Sequence, residues 1–150
     1  MCGRYVHPDI GSRPSSSDLR LHPMTAETSY QLLIDVPRRV RCTVGRLGEF
    51  EFPAGRYVYT GSAKRGLDAR VARHMRKGKP LRWHIDYLLE APGVRVADVV
   101  RSRRGECALN RATAGRVPAV GFGASDCRAH CGAHLKYVGR GSGRCRNASA

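Results

Sequence analysis

Apolar residues recur along the first half of the chain in short alternating runs that predict β-strands. Tyr30–Val36 (YQLLIDV) is an apolar run ended by Pro37, which predicts a central strand. Val40–Val44 and Glu49–Phe52 alternate apolar with charged residues on either side of a glycine-containing turn, which predicts a hairpin. Because this hairpin leads into the strand-like run Tyr57–Tyr59, we expect an antiparallel sheet in this half of the chain.

The segment that follows combines a glycine turn with a basic helix. Thr60–Ser62 (TGS) predicts a turn, and its central residue, Gly61, permits positive φ or a close approach of the backbone to its neighbours. Arginine and lysine residues then crowd most faces of the predicted helix. Three apolar residues recur every four positions and predict its buried stripe: Leu67, Val71 and Met75.

The second half alternates further helical and strand-like segments. Residues 81–89 have apolar residues at helical spacing, although some of them also alternate as in a strand. Val94–Val100 predicts a strand, and Glu106–Gly115 contains good helix formers ended by a glycine. Short segments near Val117–Phe122 and at His134–Val138 complete the predicted domain.

The composition indicates one basic domain with tails. The chain has 150 residues, of which 41% are hydrophobic, enough for one small core. Residues 1–27 and 139–150 lack periodicity and predict disordered or loosely attached segments around a domain at 28–138. Lys and Arg number 27 against 12 acidic residues, so nucleic acid is the expected partner, unless the charge is only a solvated surface. Without a long apolar run or a signal-type N-terminus, we expect no membrane contact and a cytoplasmic location, nucleoid-associated if bacterial.

A resemblance to a known family is carried by the string YTGSA, followed by Leu67, Arg70 and His74. It resembles the second half of the GIY-YIG nuclease signature, with Thr60 where isoleucine is usual. The chain is further similar to one branch of that superfamily, a domain of unknown function also found fused to endonuclease III-type DNA glycosylases. The shared motifs lie between about Tyr30 and Tyr137: RWHIDYLLEA, Glu106-Cys107, GFGASDC and His134-Leu135.

The resemblance implies an α/β fold of the α+β type, with a small mixed or antiparallel sheet flanked by helices. It also favours the helix over the strand for residues 81–89. The implied activity is Mg²⁺- or Mn²⁺-dependent endonuclease cleavage of DNA or structured nucleic acid, with DNA-repair proteins as further partners. A non-catalytic DNA-binding or targeting module is the alternative. Met1–Tyr5 (MCGRY) also resembles the start of the SOS-response-associated peptidases, which crosslink abasic sites, but the match covers five residues and we interpret it as chance.

The resemblance assigns a tyrosine pair, one on each of two paired strands, to the base or proton relay. Tyr59 corresponds to the second tyrosine of the signature. Tyr30 fits the motif order for the first, but it lies farther from Tyr59 than is usual and no Gly-Ile precedes it. Tyr57, beside Gly55, is therefore an alternative, and core packing with a satisfied hydroxyl is the competing role for all three.

Arg70 matches the family arginine, and a guanidinium with several donors suits a pentacoordinate phosphate. His74, one turn later, is expected to support the tyrosine or the phosphate, or else to pack in the core. Glu106 corresponds to the magnesium-holding glutamate, although a carboxylate at a helix start also complements the helix dipole. The basic residues predicted to contact nucleic acid are Lys64, Arg65, Arg73, Arg76, Lys77 and Lys79.

A group of cysteines and histidines late in the chain invites a zinc interpretation, because thiolate and imidazole form a good tetrahedral set. Cys127 and Cys131 are followed by His134, and Cys107 and His130 are further candidates. A paired CxxC knuckle is absent from the sequence. Reduced, buried cysteines and a hydrogen-bonded histidine are therefore the favoured interpretation, and zinc is not expected.

Overall fold

The computed structural model describes residues 26–140, and this part of the chain folds into six strands and three helices. Most of the predicted arm, with Cys2, and the chain beyond Arg140 lie outside the described residues. The predicted α+β class is confirmed. The elements are β1 (Ser29–Val36), β2 (Val40–Val44), β3 (Gly48–Phe52), β4 (Gly55–Ser62), α1 (Leu67–Met75), α2 (His84–Leu89), β5 (Arg95–Ser102), α3 (Glu106–Ala112) and β6 (Leu135–Gly139).

The main sheet has four antiparallel strands in the order β5-β1-β4-β6, so β1 is central, as its apolar sequence predicts. Leu32, Ile34 and Val36 alternate along β1 and are each at most 2% exposed. Because side chains alternate between the faces of a sheet, these residues line one face and face the core. β1 and β4 pair in a register that sets Leu32 opposite Tyr59 and Tyr30 opposite Gly61.

The predicted hairpin forms, but it does not extend the main sheet. β2 and β3 pair only with each other among the described strands, whereas β4 pairs with β1 and β6. Pro53 has no N–H to donate to a ladder, and Gly55 adopts φ 149°, so the chain leaves β3 in a new direction before β4 begins. Val44 and Phe52 are fully buried and anchor the hairpin to the core of the domain.

The turn predicted at Thr60–Ser62 is wrong, because β4 continues through Ser62 and the chain turns only afterwards. The predicted close approach at Gly61 is confirmed. A Cβ atom there would lie 2.5 Å from Cζ and from the hydroxyl oxygen of Tyr30 on the paired strand. Glycine therefore lets the phenol ring of Tyr30 lie across β4. The turn into α1 uses Gly66, which has φ 66°.

α1 forms as predicted, but its buried face differs from the predicted stripe. Val71 is 8% exposed, whereas Met75 is 53% exposed and lies on the surface. His74 takes the buried position instead, at 3% exposure. A histidine is tolerated there because its Nε2 atom is 2.7 Å from the Tyr30 hydroxyl oxygen, which satisfies one ring nitrogen.

The remaining elements follow the sequence prediction more closely. α2 is a helix with Ile85, Leu88 and Leu89 buried, β5 and β6 form, and α3 ends at Ala112. Residues 117–122 form turns rather than an element, so 113–134 contains no helix or strand. None of the helices between residues 26 and 140 is long and apolar enough to cross a membrane.

Candidate active site

A polar cleft of about 580 Å³ opens at the end of the main sheet where β1 begins and β4 ends. The pairing of Ser29 with both Ser62 and Ser102 brings the ends of β4 and β5 together there, and α1 and α3 follow those two strands. Four of the predicted site residues line this cleft: Tyr30, Tyr59, Arg70 and Glu106. Residues that are far apart in the sequence therefore converge.

The two tyrosines of the cleft lie on paired strands, with ring centroids 6.5 Å apart. The Tyr30 hydroxyl is 2.7 Å from Nε2 of His74, beneath the cleft. Burial raises the pKa of Tyr30 and of Tyr59 above the usual range, and burial lowers the pKa of His74 to about 4. At neutral pH the Tyr30 hydroxyl is therefore the donor of this hydrogen bond, and the neutral imidazole of His74 is the acceptor.

Arg70 projects from α1 into the cleft and is fixed by two contacts. Its Nη1 donates to the backbone carbonyl of Ser62 over 2.7 Å. Its guanidinium also stands 4.8 Å from the centre of the Trp83 ring, within the range of a cation–π contact. A guanidinium has five N–H donors, so most of its hydrogen-bonding capacity remains for an anion in the cleft.

Glu106, the first residue of α3, also lines the cleft and has a partner for each carboxylate oxygen. Oε2 accepts a hydrogen bond of 2.6 Å from the Ser62 hydroxyl, and Oε1 is 3.0 Å from Nδ1 of His134. Burial opposes the charge, but these bonds from His134 and Ser62 hold the pKa of Glu106 below its usual range. The Glu106 bond in turn raises the pKa of His134 to about 9. Ser62 thus links Glu106 to Arg70 through its hydroxyl and carbonyl.

Tyr57, the alternative to Tyr30, is not brought to the cleft. Its hydroxyl donates to the Pro53 carbonyl over 2.6 Å, and its ring packs edge-on against Phe52 and Tyr137. The reason is the strand register. Tyr57 is paired with Ile34, which lies several residues from the end of β1 that borders the cleft. Tyr30 is therefore the residue that pairs with Tyr59 in the structure.

Three of the predicted nucleic-acid contacts are engaged within the protein. Arg73 forms a bidentate ion pair with the buried Asp86, at 2.9 and 3.0 Å. Lys77 donates from Nζ to the carbonyls of Leu89 and Val94. Lys79, whose side chain is 3% exposed, donates to the Arg76 carbonyl and pairs with Glu90. These three cations stabilise the segment that follows α1, although Lys77 remains exposed. Lys64, Arg65 and Arg76 are also exposed.

Several residues of the cleft had no individual role in the sequence prediction. The Trp83 ring makes cation–π contacts with two guanidinium groups, that of Arg70 at 4.8 Å and that of Arg73 at 4.3 Å. As the only tryptophan of the chain, in a strongly basic segment, it was a detectable signal. Four of the others lie in the motifs shared with the family, which marked the segments but assigned no role to the residues: Ser62, Arg82, Ser125 and Asp126. No such signal marks Arg128.

The cleft contains two different sets of metal-binding atoms. Glu106 supplies a hard carboxylate oxygen beside the Ser62 hydroxyl, which suits Mg²⁺ or Mn²⁺. Close to it, the ligand atoms of four soft or borderline residues all lie within 4.8 Å of one another: Cys107, Cys127, Cys131 and His134. Backbone amides, first that of Cys131, lower the pKa of Cys127 to about 6.

The fold and the cleft define an α+β protein with a polar site formed by two tyrosines, an arginine and an ionised glutamate. The sequence model of a family described as a domain of unknown function, DUF123, matches residues 29–149. The chain belongs to this GIY-YIG-like family. The match begins at the first residue of β1 and includes every element of the described part. Comparisons with curated proteins and with solved structures returned no match.

Proposed function

We propose that this domain is a metal-dependent endonuclease that hydrolyses phosphodiester bonds in DNA or structured nucleic acid. The observation that supports the proposal best is the convergence of Tyr30, Tyr59, Arg70 and Glu106 in one cleft. Phosphodiester hydrolysis needs a base for water, positive charge for the phosphorane oxygens and stabilisation of the leaving oxygen. The cleft contains a residue suited to each of these tasks.

In this proposal Arg70 stabilises the charge that develops on the phosphate oxygens. The Ser62 carbonyl and the Trp83 ring hold the guanidinium in place before substrate arrives. A donor fixed in advance does not have to reorganise during the reaction, which is the condition for strong electrostatic stabilisation of a transition state.

The pair of Tyr30 and His74 is the proposed route for the proton of the attacking water. Water gives a proton to the Tyr30 oxygen while the tyrosine passes its own proton to Nε2 of His74, 2.7 Å away. The second ring nitrogen, Nδ1, lies 3.9 Å from Oδ1 of Asp86, so the imidazolium that forms is next to a buried carboxylate. The Tyr59 ring packs beside this pair, with its centroid 6.2 Å from that of the His74 ring.

Glu106 fits a weakly held Mg²⁺ or Mn²⁺ because it is ionised, partly exposed to the cleft and oxygen-bearing. Each of its oxygens keeps a lone pair beyond its bond to Ser62 or His134. When bound, such an ion supplies charge to stabilise the leaving oxygen of the phosphodiester.

The test is cleavage of plasmid and branched DNA, with Mg²⁺ or with a chelator. Arg70→Ala should lower the cleavage rate about 10²-fold or more, by analogy with the loss of one oxyanion donor, and should weaken binding far less. Arg65→Ala is the matched control, because this neighbouring arginine is exposed and does not line the cleft. Glu106→Gln should abolish the dependence on the metal.

A non-catalytic DNA-binding module is the second candidate, and one observation favours it. Two of the proposed catalytic residues already have protein partners, since Tyr30 is bonded to His74 and both Glu106 oxygens accept hydrogen bonds. Such a network is also what a purely structural site needs. Binding without metal-dependent cleavage of any DNA form, together with equal affinity losses in Arg70→Ala and Arg65→Ala, would establish this candidate and refute the nuclease.

The biological setting is part of the proposal. The resemblance to the branch fused to DNA glycosylases supports a role in DNA repair, with repair proteins as partners. The charge of +15 supports a polyanionic substrate, and the proposed location of the protein is the cytoplasm.

A further inference from the structure

We propose that Cys107, Cys127, Cys131 and His134 form a structural zinc site that makes one wall of the cleft. The four ligand atoms, three Sγ atoms and Nε2 of the histidine, lie within 4.8 Å of one another. Four protein ligands complete a tetrahedron and leave no open position for water or substrate, which distinguishes a structural zinc from a catalytic one.

Two of the six distances between the four ligand atoms match the size of such a tetrahedron, and the others are at most 4.8 Å. With Zn–S near 2.3 Å and Zn–N near 2.0 Å, ligand atoms of a tetrahedral site lie about 3.5 to 3.8 Å apart. The Sγ atoms of Cys107 and Cys127 are 3.7 Å apart, and the Cys107 Sγ is 3.9 Å from Nε2 of His134. A disulfide would require about 2.05 Å between sulfurs and would leave the third thiol and the histidine unused.

His134 is oriented for this role by Glu106. Its Nδ1 is 3.0 Å from Oε1 of the carboxylate, so Nδ1 keeps a proton and Nε2 faces the three sulfurs. Zinc-bound histidines commonly donate their second ring nitrogen to a carboxylate in this way. On binding, the metal replaces the protons that the cysteines still hold and any proton on Nε2, and these protons are released to solvent.

The site also fits a need of the fold. Residues 113–134 contain no helix or strand, and stretches of this length without regular structure are uncommon inside a compact domain. Three of the four ligands lie in this stretch, whereas Cys107 lies in the first turn of α3. Zinc would therefore tie the long loop to the helix that carries Glu106, and this would fix the position of the carboxylate in the cleft.

The first experiment measures metal in tag-free protein purified without added metal, by elemental analysis and native mass spectrometry. We expect one zinc per chain, lost in Cys127→Ser and in Cys131→Ser. Cys42→Ser is the matched control, because Cys42 is a free cysteine on β2, outside the cluster. Zinc kept by both cluster variants would overturn the proposal.

A second measurement does not depend on whether the variants fold. Wild-type protein refolded with Co²⁺ should show the ligand-field bands of a tetrahedral ion and strong thiolate-to-cobalt charge-transfer absorption. Octahedral cobalt without thiolate absorption, or a disulfide mass in the purified chain, would refute the site.

Glu106→Ala should weaken the affinity for zinc about 10- to 100-fold in a chelator competition, as expected for the loss of a carboxylate behind a ligand histidine. An unchanged affinity would refute the role given to Glu106. Zinc content is measured without any cleavage assay, so the zinc proposal is tested independently of the nuclease proposal.

Discussion

Gly61→Ala is expected to destabilise the domain strongly although it adds a single methyl group. The new Cβ would lie 2.5 Å from Cζ and the hydroxyl oxygen of Tyr30, about half an ångström closer than real Cβ contacts allow. The Tyr30 ring cannot move aside freely, because it is 1% exposed and its hydroxyl is held by His74 at 2.7 Å. Overpacking of a core costs about 1 to 3 kcal/mol, and losing the hydrogen bond adds about 1 kcal/mol.

The assay is urea denaturation followed by the fluorescence of Trp83, the only tryptophan of the chain. With an m value of about 2 kcal/mol per M, a loss of about 2 to 4 kcal/mol lowers the midpoint by about 1 to 2 M. Gly105→Ala is the control, because Gly105 has φ −60° and an added Cβ there meets no atom within 4 Å. Its cost should stay below about 1 kcal/mol.

A double-mutant cycle tests whether the Tyr30 contact is the cause. Tyr30→Leu removes the Cζ and hydroxyl atoms that the new methyl group would meet. In that background Gly61→Ala should cost less than about 1 kcal/mol, which gives a coupling energy of about 1 kcal/mol or more. Equal costs in the two backgrounds would refute the reasoning and place the strain elsewhere in β4.

Further predictions concern charge. Because the pKa of His74 is about 4 in the fold against 6.5 for the unfolded residue, the unfolded chain binds the proton first. Stability is full above pH 6.5 and should fall by about 3 kcal/mol towards pH 4, and a His74→Gln variant should show a flatter curve over that window. Asp86→Asn removes the charge that pairs with Arg73 and should cost about 3 to 5 kcal/mol in thermal or urea unfolding, against less than about 1 kcal/mol for the exposed Glu51→Gln. Binding of duplex DNA through about five phosphates should give a log K against log salt slope of about −4.5, and binding indifferent to salt would contradict phosphate contact.

Local sequence patterns predicted most of the strands and helices of the fold. Alternation in β1 and in the β2-β3 hairpin depends on near neighbours and on the period of each element, so it was readable from the sequence. The pairing of β4 with β1 rather than with β3 could not be predicted, because local sequence does not determine which strand edges pair.

The roles of the charged residues were the least predictable part of the site. The sequence shows that Arg73 and Arg70 lie on one basic helix, but only the fold brings Asp86 to the first and Ser62 to the second. Likewise, the buried ring of His74 is bonded to Tyr30, which is 44 residues earlier in the chain. Such pairings join residues far apart in the chain, and periodicity contains no information about them.

The position of β6 determines when the cleft can be complete during synthesis. All four proposed catalytic residues of the cleft leave the ribosome before His134, whose imidazole holds Glu106. They also leave it before β6, which pairs with the second edge of β4. A nascent chain that has reached only Ala112 therefore carries every proposed catalytic side chain while one edge of β4 is still unpaired. Unpaired strands of this kind are the usual sites of intermolecular association. Correct assembly of this domain thus depends on its last strand arriving before another chain occupies that edge.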